Sequence, residues 1–136
     1  MANALTNKGQ ELALMGTATP NGGIANLATA VKLFAAGSTP NKNGTGFNEV
    51  ASGNGYPVGG FLITRANWVL LLLSGDQAIR LNDILVTAVG GPIANILGAY
   101  IVDAGGNVLG WWERATSVTL APGDDLLLDD LTVKAL

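Results

Sequence analysis

The chain has 136 residues, 49% of them hydrophobic and only 12% charged, with a net charge of −3 and neither cysteine nor histidine. Those absences remove disulfides, thiolate zinc sites, the commonest acid–base side chain and the usual nucleophile pairs. The 7 Lys and Arg are scattered, which gives a phosphate backbone nothing to hold. No apolar run approaches the ~20 residues of a membrane-spanning helix.

This length suits one domain that buries roughly 68% of its unfolded surface. Charge stands at about half the ~25% usual in soluble domains, too little for a monomer to cover itself. Burial in a permanent homo-oligomer accounts for the deficit, because obligate interfaces resemble a domain core cut in half.

Residues 1–10 lack the basic flank and apolar run of a signal peptide and read as the start of a product made in the cytoplasm. Leu5, Leu12, Ala13 and Met15 fall near helical spacing, with Thr6 or Asn7 as N-cap and Gly16 as stop. Gly9 weakens such a helix by up to ~1 kcal/mol, so it needs a surface to lie on. With the turn-rich residues 17–26 it makes an N-terminal arm, residues 1–26, separate from a β domain over residues 27–136. Its docking stripe is Leu5, Leu12 and Met15, edged by Lys8 and Glu11.

Residues 30–36 alternate as a first strand. Residues 37–55 concentrate Gly, Asn, Ser, Thr and Pro, so ordered secondary structure is not expected there without a partner and the segment reads as a surface loop. Residues 56–64 and 67–73 read as strands with a bend at Arg65 and Ala66, and Gly59 and Gly60 mark a bulge or a close backbone approach. Strands over residues 77–81 and 84–89 follow, divided by Asn82 and Asp83. The strongest stretch is residues 92–114. Two apolar strands, 93–102 and 108–112, flank Asp103-Ala-Gly-Gly-Asn107, where both glycines are expected at positive φ. The only polar residue of the first strand is Asn95. Near-continuous apolarity means burial on both sides. Trp111 and Trp112, being neighbours on a strand, face opposite ways, so only one of them enters the core. Residues 117–120 and 125–136 read as two further strands. Strands every eight to twelve residues predict an all-β antiparallel sandwich, jelly-roll-like, with a short N-terminal helix and arm.

Carboxylates alone could work a glycosidic bond. The candidates are Glu49, Asp103, Glu113 and the pairs Asp124-Asp125 and Asp129-Asp130, with Trp111 and Trp112 as the only nearby sugar-stacking rings. The acidic run 122–130 does not match an EF-hand loop, and its carboxylates are separated by an apolar strand. No catalytic residue, metal ligand or cofactor is expected. Trp68, Tyr100, Trp111 and Trp112 are the candidate core or oligomer-interface residues.

Several stretches resemble a family of small tailed-bacteriophage virion proteins, commonly labelled tail-fibre-like and including head decoration or cement proteins. They are ALTNKGQELAL (4–14), VKLFAAGSTP (31–40), NEVASGNGY (48–56), GAYIVDAGGNVLGWWE (98–113) and APGDDLLLDDLTVKAL (121–136). They span most of the chain in the same order. The chain departs from the family where Tyr56-Pro57-Val58 replaces an early Arg, and where Gly91-Pro92 stands in place of a Trp-Gly pair. The resemblance implies a β-sandwich, commonly trimeric, on a phage head or tail, without catalysis or cofactor. The expected function is a capsid decoration (cement) protein that clamps neighbouring major capsid subunits on the outer surface of the virion, its partners being the major capsid protein and itself, with no nucleic acid and no membrane. The alternative is a tail-fibre or adhesin receptor-binding module, and the third reading is a carboxylate-based glycan hydrolase.

Overall fold

The structure is a computed structural model that describes residues 2–6, 23–73 and 76–134. Strands β1 (Ala2–Leu5), β2 (Ala28–Ala35), β3 (Phe61–Leu62), β4 (Trp68–Leu73), β5 (Asp76–Leu81), β6 (Ile84–Thr87), β7 (Ile93–Asp103), β8 (Val108–Leu120), β9 (Asp125–Leu128) and β10 (Thr132–Lys134) are joined by one helical turn, α1 (Ile24–Leu27), and a 3-10 turn at Arg65–Asn67. They pair antiparallel in three sheets, β1-β8-β7-β2-β3, β10-β5-β4 and β6-β9. The protein is an all-β antiparallel sandwich in which the two smaller sheets form the second layer.

The β7–β8 hairpin is the centre of the larger sheet. Its turn closes through Gly106 N–H to Asp103 O and Asp103 N–H to Asn107 O, both 3.0 Å, while Asp103 Oδ1 accepts from the N–H groups of Gly105 and Asn107, each at 2.9 Å. Only Gly106 takes positive φ, at 82°. Gly105, expected there too, does not, because a three-residue loop needs a single left-handed residue, which forms the bulge.

Residues 117–120, read from sequence as a separate strand, continue β8. Between the pairs Ile96↔Val118 and Gly98↔Glu113, β8 carries extra residues that break the ladder. Asn95, the one polar residue of its stretch, lies in the adjoining irregularity between Ile93↔Leu120 and Ile96↔Val118, where β7 itself carries the extra residue, at φ 56°. Its N–H donates to Thr119 Oγ1 at 3.0 Å, and its carbonyl accepts from Ala36 N–H at 2.9 Å, so a polar residue that tolerates left-handed backbone satisfies the bulge.

The core lies between the layers. Val31, Leu33, Ile96, Ala99, Ile101, Leu109 and Trp112 of the larger sheet meet Trp68, Leu81, Val86, Leu128 and Val133 of the smaller ones. The indole N–H of Trp112 donates to Thr132 O at 3.0 Å and so ties β8 to β10. Gly60 is required by close approach, as the sequence suggested: at φ 84° a Cβ there would strike the Val31 carbonyl.

Three parts of the chain differ from the sequence reading. The single last strand over residues 125–136 is broken, because Asp130 turns left-handed at φ 53° and the chain passes from β9, paired with β6, to β10, paired with β5. Of the strand expected over residues 56–64 only β3 forms, since Pro57 lacks a donor and the two glycines at 59 and 60 turn the chain. Leu5, expected at the head of a helix in a free arm, instead belongs to β1, which pairs Ala2 to Leu5 with Glu113 to Gly110. The unpaired backbone groups on that side of β8 decide the matter locally, because a strand edge accepts any extended segment that reaches it. Thr6 follows, buried, with its N–H on Leu109 O at 3.1 Å and its hydroxyl on Val108 O. At the other end of the expected arm Ile24 is a core residue. Lys8, Glu11, Leu12 and Met15 lie outside the described residues.

Candidate interaction surfaces

The outer face of the larger sheet carries a second, smaller apolar cluster. Alternation along β2, β7 and β8 sends Phe34, Tyr100 and Trp111 away from the main core, and the register sets Lys32, Tyr100 and Trp111 side by side across three strands. The loop 37–55 closes over them. Phe47 stacks on Tyr100 at 4.7 Å and meets Phe34 and Trp111 edge-on at 5.5 and 5.8 Å. Gly98 opens the room for this, because a Cβ there would run into the Phe34 ring and the Trp112 carbonyl.

As expected, this loop forms no helix or strand of its own; bonds within its own chain hold it. Asn41 Oδ1 accepts from Asn43 N–H at 2.9 Å and Thr45 Oγ1 at 3.1 Å. Backbone bonds Ala35 N–H to Asn48 O (2.8 Å) and Val50 N–H to Leu33 O (2.9 Å) then fix it along β2. Glu49, thus placed, accepts from Tyr56 O–H at 2.6 Å and lies 3.8 Å from Lys32 Nζ. The same phenol oxygen accepts from Leu33 N–H at 3.0 Å. Burial, then the bond to Glu49, pushes the Tyr56 phenol far above its ordinary range. Tyr100 is pushed up to about 12, by burial first and by the charge of Glu49 second. Both rings are neutral struts at physiological pH. The sequence signals that could have found this group are Phe47, the one aromatic in a polar loop, and the carboxylate two residues later.

The tryptophans divide. Trp112 is 1% exposed in the main core, and Trp111 is half-buried on the opposite face under Phe47. Trp68, 9% exposed, also lines the main core, but its indole N–H is buried with no acceptor. Tyr100 is buried in the outer cluster. These four candidate residues therefore do not form one site. The exposed apolar side chains lie elsewhere. Leu85 and Leu127 are direct cross-strand partners on β6 and β9, Leu62 is on β3, and Val69 and Leu70 are on β4.

The carboxylates weighed for glycan chemistry are dispersed. Asp103 holds the hairpin turn, Asp124 Oδ2 accepts from Ala121 N–H at 3.0 Å, Asp125 from the Thr87 hydroxyl at 2.6 Å and Asp130 from the Thr132 hydroxyl at 3.2 Å. Among the described residues no three carboxylates converge as a cation site would require. Nor is any helix among them long and apolar enough to cross a membrane.

The class these features define is an antiparallel β-sandwich with apolar outer patches and no converging acidic centre among its described residues. No family model, curated protein or solved structure matches the chain.

Proposed function

We propose that the protein is a non-enzymatic bacteriophage structural protein, a decoration (cement) protein that oligomerises and clamps neighbouring major capsid subunits on the outside of the head. The observation that supports this reading best is the apolar surface left uncovered. Val58, Leu62, Leu70, Leu85, Val89 and Leu127 are exposed on a chain with only 12% charge, Leu85 and Leu127 as direct cross-strand neighbours, and contiguous apolar surface such as that pair favours contact with other protein. The resemblance in five ordered stretches supplies the phage context. A clamp that binds the assembled shell and not its free subunits stabilises the shell by mass action, and many identical weak contacts add through multivalency.

The test is a count. Quantitative mass spectrometry of purified particles should find on the order of hundreds of copies per virion, and heads stripped of the protein should rupture at lower temperature and recover when it is added back. A handful of copies, located at the tail, would replace this reading with the tail-fibre one. Turnover of host-wall polysaccharide that is lost on Glu113→Gln would replace it with the hydrolase.

A further inference from the structure

The β4 edge is the longest unguarded strand edge in the described fold. The sheet order β10-β5-β4 leaves one side of β4 without a strand among the described residues. Soluble proteins blunt such edges with charge, proline, a bulge or shortness. The sequence Trp-Val-Leu-Leu-Leu-Leu has no charge and no proline, its register with β5 is unbroken over six residues, and the end strands β1, β3 and β10 are shorter.

The register also shows what has to cover it. Leu70 is paired with Ile79, and Ile79 with Val133, on the face that carries Trp68 and Leu81 into the core. Leu70 nevertheless stands 71% exposed. Val69, on the opposite face, is 45% exposed. Whatever strand joins this edge must therefore be apolar on both parities, a condition that the alternating strands of most half-buried sheets fail. β4 itself satisfies it. Charge agrees with self-pairing: on β5, Asp76 stands opposite Leu73 and Arg80 opposite Val69. An antiparallel two-fold match sets the Asp76 end of each β5 level with the Arg80 end of the other, two strands away, so like charges are not aligned across the pair.

We propose that β4 pairs with β4 of a second copy of this chain, antiparallel about a two-fold axis, making one six-stranded sheet, β10-β5-β4 continued into its copy. An isologous contact of this kind closes on itself. It is thus a different contact from any three-fold one, and the two together would build a hexamer. It does not rest on attachment to a capsid.

The test uses the full-length chain alone, with mass measured by sedimentation equilibrium and backbone amide exchange followed at residues 69–73. Leu70→Lys places a charge on the edge at a side chain that the isolated fold leaves in solvent. It should halve the mass and speed exchange of the β4 amides facing away from β5 by tenfold or more. Leu85→Lys, also at an exposed leucine but on β6, should leave the mass unchanged. If Leu70→Lys fails to fold, Val69→Lys on the other face of the same edge carries the same expectation. A wild-type mass of one chain, 13.8 kDa, or of three chains, overturns the pairing, as does a mass that Leu70→Lys leaves unchanged or that Leu85→Lys halves as well. A three-chain mass with heads still decorated would overturn the pairing and leave the proposed function standing.

Discussion

Trp112 and Trp68 face the same core from opposite layers, yet replacing each with phenylalanine should have opposite weight. Trp112 donates its indole N–H to Thr132 O. Trp112→Phe strands that carbonyl at a cost of ~1–3 kcal/mol, and the smaller ring adds about 1 kcal/mol of lost packing, so the total is ~2–4 kcal/mol. Trp68 already holds a buried N–H without an acceptor. Trp68→Phe removes that unsatisfied donor, which offsets the same packing loss, and the net change should lie within ~1 kcal/mol of zero. Against a total stability of about 5–15 kcal/mol, only the first substitution is severe. Urea unfolding followed by far-ultraviolet circular dichroism, with the m-value checked for constancy, separates the two cases. Thermal midpoints should differ by roughly 6–24 °C, taking about 3–6 °C per kcal/mol at this chain length. Equal losses for the two variants, or a larger loss for Trp68→Phe, would refute the assignment of the Trp112 bond and of the orphan Trp68 donor.

Both tyrosines should resist ionisation, since their phenol pKa values are raised in the folded state. The stability they contribute is whole below pH ~10, the unfolded value, and is lost as pH rises through the folded value, about 12 for Tyr100. Tyrosinate absorbance appearing at pH 10 in the folded protein would contradict the burial of both rings. Tyr56→Phe leaves the buried Leu33 N–H without its acceptor and should cost ~1–3 kcal/mol in urea unfolding, against no measurable change if the loop bond is incidental. Gly98→Ala forces a methyl against the Phe34 ring and the Trp112 carbonyl, an overpacking worth ~1–3 kcal/mol; an unchanged midpoint would show that the rings shift freely. Deleting residues 1–6 uncovers the outer edge of β8 and should lower the midpoint and promote aggregation, whereas a merely appended arm could be removed without either effect.

The hairpin of β7 and β8 was legible because its cues are local: a long β-branched run, a Gly-rich turn of fixed length, and two adjacent tryptophans whose parity dictates opposite faces. β1 was not. Ala-Asn-Ala-Leu has no strand signal, and its conformation is set by the partner edge of β8. The break at Asp130 was hidden for a related reason: two aspartates in an apolar run read equally well as a solvated strand end or as a turn between sheets, and the choice lies with β5 and β6. In the outer cluster Tyr100 and Trp111 were named from sequence, but Phe47 and Glu49 were not linked to them. A loop's landing place is a tertiary fact that its composition does not encode, and without it the Tyr56 phenol and the Lys32 ammonium have no visible partner.

The pairing of β1 with β8 also fixes an order of events at the ribosome. Residues 2–5 find their partners only when residues 110–113 have emerged, about 5–20 s later at ordinary elongation rates. β4 and β5, by contrast, are joined through a short connection and can form their hairpin in about 1–10 μs. The nascent chain therefore spends seconds with a hairpin made whose β4 strand is uncharged and leucine-rich, and with the larger sheet that covers its core face unfinished. Sequence-distant pairing of this kind slows folding to the millisecond-to-second range, so soluble yield should depend on temperature and chaperone supply during synthesis more than on the stability of the finished sandwich.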